Sequence, residues 1–290
     1  MRLFRSFLFV PGNRERMLAK SLTTAADALL LDLEDAVPAA EREAALDMVA
    51  AFLPTARPRA VFVRINHPSD EHSEVEVRRL AALSVTGFFV PKVESAAEVQ
   101  TVDRWITEVE AEAGLPAGEI VLVPVVESAL GLLRAFESAS AAPRVGSIGL
   151  ASGENGDFQT DVGYDWSPQG HELLFARSKL VVDARAAGLP YPIDGVFADL
   201  DHEDDLITET TESKRLGFKG RMVIHPKQVD PVNRIYTPGS DEVAYYRRLL
   251  IAYDEAVAAG RGSANFEGKM IDYAMAERAR SVIAVAESLA

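Results

Sequence analysis

Residues 120–128 read Ile-Val-Leu-Val-Pro-Val-Val-Glu-Ser, a run of apolar and β-branched residues closed by one carboxylate, Glu127. Such a run suits a strand buried on both faces, as in a parallel sheet covered by helices. A lone charge at the end of that strand is costly to bury unless it is paired or binds a metal. About twenty residues on, a second apolar run, VGSIGLASGENGD, also ends in acids, Glu154 and Asp157. Two strand ends that deliver carboxylates to one rim make a cation site.

Working outward, similar short runs recur along the chain: SFLFVPG, ALLLDLEDAV, AVFVRIN and GFFVPK before residue 120, PIDGVF and RMVIHP after residue 190. Amphipathic stretches lie between them, at 14–25, 41–53, 73–83, 96–114, 129–140, 171–188 and 203–218. Strand–helix alternation of this regularity predicts parallel βαβ units. Eight units in some 230 residues match an α/β fold of the (β/α)8 TIM-barrel type. An open, doubly wound sheet is the alternative. The first strand runs into VPGNRERM and not a Gly-x-Gly-x-x-Gly turn, so dinucleotide binding has no support.

The pattern changes after the eighth run. We expect a barrel over residues 1–228 and a C-terminal helical extension over 229–290. Within the extension, 230–238 reads as a polar, proline-bearing connection and 242–259 as a helix. GSANFEGKMID reads as a loop turning at Glu267-Gly268, and 274–289 as a last helix. Such an extension suits a cap over the barrel mouth or a contact to a neighbouring subunit.

The 290-residue length allows a full α/β core. The net charge of −14 argues against nucleic acid as a partner, since phosphate neutralisation needs a basic surface. The chain has no cysteine, which excludes disulfides, thiolate nucleophiles and Cys-ligated metals. The apolar run near the N-terminus is too short for a signal-peptide core or a membrane span. A cytoplasmic protein with no membrane partner is expected.

In a barrel of this kind, chemistry gathers at the C-terminal ends of the strands. There the sequence places Asp32, Glu34 and Asp35, then Arg64 and Asn66, Lys92 and Glu94, Glu127, the Glu154–Asp157 loop, and His225. Glu127 and Asp157, with Glu154 competing, are the metal candidates, because two carboxylates with other positions left to water and substrate suit Mg2+. The plainer alternatives are an Arg partner for Glu127 and a helix cap for Asp157. Arg64 can stabilise an enolate or carboxylate, or form a buried salt bridge with Asp32 or Glu34. Asp32 and Glu34 share a strand face, and support of Arg64 and of metal-bound water is their expected role. Lys92 is either an amine nucleophile or an ion-pair partner. His225 reads as a hydrogen-bonded structural residue. Arg14 and Lys20, at the first helix, make either a phosphate contact or a solvated face.

These pieces together resemble the citrate lyase β-subunit-like family, within the aldolase/citrate lyase group that also holds malyl-CoA and citramalyl-CoA lyases. The matching stretches are RSFLFVPGNRERMLAKS, DALLLDLEDAVPAAEREAA, VFVRIN, GFFVPKVESAAEV, VPVVESALGL, GFKGRMVIHPKQVDPVN and GKMID, over nearly the whole chain. The resemblance implies an oligomeric (β/α)8 barrel, commonly a homotrimer or hexamer. It implies Mg2+-dependent Claisen-type cleavage or condensation of a 3-hydroxyacyl thioester. By motif, Glu127 and Asp157 are then the metal ligands, and Arg64 holds the acyl oxygens. Arg14 and Lys20 contact CoA phosphates. Asp272, in GKMID, is the acid/base carboxylate, which in several relatives comes from a neighbouring subunit. One departure stands out: GENGD replaces the family's Gly-Ala-Glu-Asp, with Gly156 in place of the usual Glu and one extra residue.

The leading expectation is a lyase acting on a citramalyl-, malyl- or citryl-thioester, on CoA or on an acyl carrier, with a small keto acid as the other product. Two alternatives remain: a metal-dependent aldolase on free 2-oxo acids, and a non-autonomous lyase subunit that works with an acyl-carrier partner.

Overall fold

The computed structural model describes residues 1–83, 85–167 and 169–289. Among them, eight parallel strands close into a barrel in sequence order: β1 Ser6–Pro11, β2 Ala28–Asp32, β3 Ala60–Arg64, β4 Gly87–Val90, β5 Val121–Val126, β6 Gly149–Leu150, β7 Ile193–Asp194 and β8 Gly220–Val223. β8 pairs back onto β1 through Phe7 and Met222. The expected (β/α)8 barrel is therefore the observed fold, and the open sheet is excluded.

Burial on two faces explains the continuous apolar runs. One set of alternate residues, including Phe7, Leu30, Phe62, Phe89, Val123 and Met222, fills the barrel interior. Phe7, Phe62 and Phe89 meet edge to face at 5.3–5.6 Å between ring centres. The intervening residues Leu29, Leu31, Val61, Val63 and Phe88 are also fully or almost fully buried. Gly87 is required at the start of β4, because a Cβ there would stand 2.4 Å from Val121 O and 2.9 Å from the Phe62 ring.

The helices follow the expected segments with trimmed ends. Helix Ala96–Ala113 opens with a Ser95/Glu98 capping box and ends at the left-handed Gly114. The first helix is only Glu15–Ser21. The expected 129–140 helix is two short ones, Ala129–Leu133 and Ala135–Ala139, because Arg134 leaves helical dihedrals.

Charge is also buried between the barrel and its helices. Arg177, Asp194, Glu209 and Arg221 are all nearly inaccessible. Arg221 reaches Glu209 at 2.9 Å, and Arg177 reaches Asp194 at 3.1 Å and also pairs with Glu209. These four residues tie β7 and β8 to helices Leu174–Ala186 and Glu203–Leu216.

The chain forms two compact units, Met1–Asn233 and Arg234–Ala290. Two expectations for the C-terminal region are corrected. Much of the polar connection at 230–238 is helical, Val229–Tyr236. Pro231 lies in its first turn, where backbone N–H groups have no intrahelical acceptor to lose. GSANFEGKMID is not a loop but an antiparallel hairpin, β9 Ala264–Phe266 and β10 Lys269–Ile271. Its turn is Glu267-Gly268, both at positive φ (49° and 79°), as a two-residue hairpin turn of matching twist requires. In the second unit, Ile271 packs with Leu249 and Tyr253 of helix Ser240–Ala258 and with Ala276 and Ala279 of helix Tyr273–Ser288. No helix among the described residues is long and apolar enough to cross a membrane.

Candidate active site at the barrel mouth

The polar residues sit where the strands end. Asp32 and Arg64 are the last residues of β2 and β3, Lys92 lies two residues past β4, and Glu127 directly follows β5. The loop after β6 carries Glu154 to Asp157. A cavity of about 540 Å³ opens there. Its apolar wall includes Phe9, Phe89, Val125 and Met222, and its polar wall Asp32, Asp35, Arg64, Glu127, Glu154 and Asp157.

Arg64 is fixed by acids. Its Nε and Nη2 donate to the two oxygens of Asp32 at 2.7 Å each, a bidentate pair. Nη1 donates to Asp35 Oδ2 at 3.1 Å and lies 3.1 Å from Glu34 Oε2. The guanidinium also lies 4.9 Å from the centre of the Phe9 ring. Burial alone would lower the guanidinium's proton affinity, but Asp32, then Glu34 and Asp35, more than reverse this, so it stays charged. Asp32 also shapes the turn after β2, where its oxygens accept from Glu34 N (3.1 Å) and Ala36 N (3.2 Å).

Lys92 joins the same network. Its ammonium lies 2.7 Å from Glu34 Oε1, 3.1 Å from Asp35 Oδ1 and 3.2 Å from Asp157 Oδ2. Glu34 and Asp35 outweigh burial and hold the amine in its protonated form. That opposes a Schiff-base role, which needs the free amine. Glu34 and Asp35 diverge because they differ in depth. Burial pushes Glu34 up despite Arg64 and Lys92 (8% exposed), whereas the same cations prevail over burial at Asp35 (53% exposed) and lower it.

Glu127 is 6% exposed, and one oxygen accepts from Lys92 N at 3.1 Å. Among the described residues no cation lies within ion-pair distance of it. Burial pushes its carboxyl up to about 7; Arg64 opposes this and Glu34 adds to it. A buried carboxylate without a paired cation fits the donor set of a hard divalent ion. Asp157 supplies a second oxygen donor on the same cavity, at the first residue of helix Asp157–Val162 and half exposed. No group of three or more acids and histidines is arranged as a ready-made metal cage among the described residues. Glu127 and Asp157 could therefore hold such an ion only with water or substrate completing its shell. Glu154 lines the cavity as well, but the ion-paired acid of that loop is Asp157.

The remaining candidates lie elsewhere. Arg14, at the N-cap of helix Glu15–Ser21, and Lys20, in its last turn, are exposed and do not line the cavity; Met17 between them does. His225 accepts from Lys227 N at 3.1 Å and caps a short turn, as expected of a structural residue. Asp272 lies in the second unit, where its carboxylate accepts from Met275 N at 3.2 Å and caps helix Tyr273–Ser288. The sequence places Asp35 at the strand end without giving it a partner, and here it pairs with Arg64 and Lys92. It lies beyond the strand end, in the Asp32-stabilised turn, where alternation no longer applies.

Residues 5–226 match the family model described as HpcH/HpaI aldolase/citrate lyase. The chain is 35% identical to the citrate lyase subunit beta of Haemophilus influenzae, covering 99% of this chain and 98% of that one. It is 34% identical to a (3S)-malyl-CoA thioesterase of Cereibacter sphaeroides, covering 99% and 96%. Among solved structures, it is similar to the CitE protein of Mycobacterium tuberculosis in complex with magnesium, acetoacetate and coenzyme A, with a TM-score of 0.76, 27% identity and 98% of each chain covered.

Proposed function

The chain belongs to the HpcH/HpaI aldolase/citrate lyase family, and from that premise we propose that it is a Mg2+-dependent carbon–carbon lyase acting on a 3-hydroxyacyl-CoA thioester of the citramalyl, malyl or citryl type. The observation that carries this is the pairing, on one cavity, of the uncompensated buried Glu127 with the acid-locked Arg64.

The reaction breaks the bond between the hydroxyl-bearing carbon and the carbon next to the thioester. The hydroxyl loses its proton and becomes a carbonyl, the bond's electron pair moves into a thioester enolate, and the enolate carbon takes up a proton. A divalent cation on Glu127 and Asp157 would supply Lewis acidity to the keto acid's oxygens. Arg64 donates to the oxygen that gains charge as the enolate forms. Its orientation is set in advance by Asp32, so little reorganisation accompanies that step. The Phe9, Phe89, Val125 and Met222 wall gives the enolate an apolar surface on one side. Asp272 is the proton donor to the enolate carbon, brought to a mouth by the tail of a neighbouring subunit in a homotrimer or hexamer. Arg14 and Lys20 contact the CoA phosphates outside the cavity.

The test is mass-spectrometric detection of acetyl-CoA and keto acid from citramalyl-CoA and malyl-CoA, with and without Mg2+. Mg2+-dependent release of both products supports the proposal, and no turnover of these two thioesters or of citryl-CoA counts against it. Similarity to a malyl-CoA thioesterase favours a second outcome at the same site: water reaching the acyl carbon would release free CoA, which the same assay distinguishes.

A further inference from the structure

Lys92 is the one residue, among those described, that contacts both carboxylates of the proposed metal pair. Its backbone N–H donates to Glu127 Oε1 at 3.1 Å, and its ammonium lies 3.2 Å from Asp157 Oδ2. The residue is held at φ 52°, a left-handed conformation that costs energy for any side chain with a Cβ. In that conformation its main chain donates to Glu127 and its side chain stands within ion-pair distance of Asp157.

The three acid contacts of the ammonium are unequal. Glu34 Oε1 is the nearest at 2.7 Å and is buried; Asp157 Oδ2 is the farthest at 3.2 Å and belongs to a half-exposed residue. An ammonium has three donors, and Glu34 and Asp35 alone can occupy two of them. Lys92 can therefore give up Asp157 without losing its place in the network. A divalent cation on Asp157 would meet a unit positive charge already there.

We infer that Lys92 is a resident counter-ion of the metal pocket, whose ammonium competes with the divalent cation for Asp157 while its backbone orients Glu127. This rests on the assignment of Glu127 and Asp157 as the metal pair. Metal loading is then a cation exchange at Asp157, and affinity for the metal alone is held below what the carboxylates would otherwise provide. The sign of this effect separates it from an ordinary structural salt bridge. Loss of a structural salt bridge loosens the pocket and weakens metal binding, whereas loss of a competitor tightens it.

The test is calorimetric titration of MgCl2 into the substrate-free protein, wild type against Lys92→Met and Lys92→Arg. Both replacements keep the backbone N–H and carry the same left-handed burden as lysine, so the charge is what changes. Lys92→Met should bind Mg2+ about tenfold more tightly, the order expected when a like charge is removed a few ångströms from a divalent ion. Lys92→Arg should remain within about twofold of wild type, since its charge is kept. Unchanged or weaker binding by a folded Lys92→Met overturns the inference and leaves the metal pair standing. Absence of Mg2+ binding by wild type overturns both. A second measurement does not depend on the charge-removing variant: in protein labelled with 13C at lysine Cε, the Lys92 resonance, identified by its loss in Lys92→Arg, should move in step with Mg2+ occupancy. A resonance that stays fixed through saturation overturns the inference.

Discussion

Asp32 and Arg64 are register partners on neighbouring parallel strands, and their side chains meet in two hydrogen bonds of 2.7 Å. Register partners of a parallel pair point to the same side, so the last rung of β2 and β3 delivers the carboxylate and the guanidinium to the barrel mouth together. Leu30 and Phe62, two residues back, point the same way and fill the interior below them. The place of the Arg64 cation, to which we assign the enolate oxygen, is thus set by sheet register, and its orientation by an acid on the next strand.

Arg64→Lys keeps the charge but cannot reproduce the fork on Asp32. It should fold and lose about 10²–10³-fold in kcat, the range seen when a positioned oxyanion donor is removed. Arg64→Ala should in addition destabilise the protein by about 3–5 kcal/mol, because Asp32 is left buried without its cation, while Glu34 keeps Lys92. Steady-state kinetics and urea unfolding of both variants separate the two effects.

Glu127 should make stability fall with pH in the metal-free protein. Its folded value of about 7 lies above the ordinary 4.5, so its protonated form favours the fold. That contribution is fully present below pH 4.5 and is lost as pH rises through 7. The difference is on the order of 3 kcal/mol. Glu127→Gln removes the titration and should be the more stable protein at pH 8, as read by urea unfolding at pH 4 and pH 8.

The same carboxyl should couple proton and metal. Mg2+ needs the ionised form, so its affinity should rise about tenfold between pH 6 and pH 8 and level off above that. Calorimetry at three pH values measures this, and a flat profile in wild type would remove Glu127 from the ligand set.

Asp272 combines a cap with a proposed proton transfer, and two substitutions split them. Asn caps a helix about as well as Asp, so Asp272→Asn should retain the thermal stability of wild type while losing most of kcat. Asp272→Ala should lose activity and also about 1 kcal/mol of stability. Equal activity of Asp272→Asn and wild type would leave Asp272 as a cap alone.

The barrel is legible in the sequence because strands buried on both faces leave apolar runs too regular to miss. Alternation also places Phe62 and Arg64 on one face. It fails beyond a strand end, which is why the partnership of Asp35 with Arg64 and Lys92 is not readable. Nor is the Arg177–Asp194–Glu209–Arg221 cluster, since its members lie far apart in sequence and carry no periodic signal. The β9–β10 hairpin is half legible: Glu267-Gly268 marks the turn, but three-residue strands are too short for a pattern.

Whether Glu127 and Asp157 together hold the divalent ion is tested most directly by anomalous diffraction from crystals soaked with Mn2+ in place of Mg2+. One strong anomalous peak should appear, bonded to a carboxylate oxygen of each residue at roughly 2.1–2.2 Å. A peak bonded to Glu154 in place of Asp157, or no peak at the barrel mouth, would contradict the assignment.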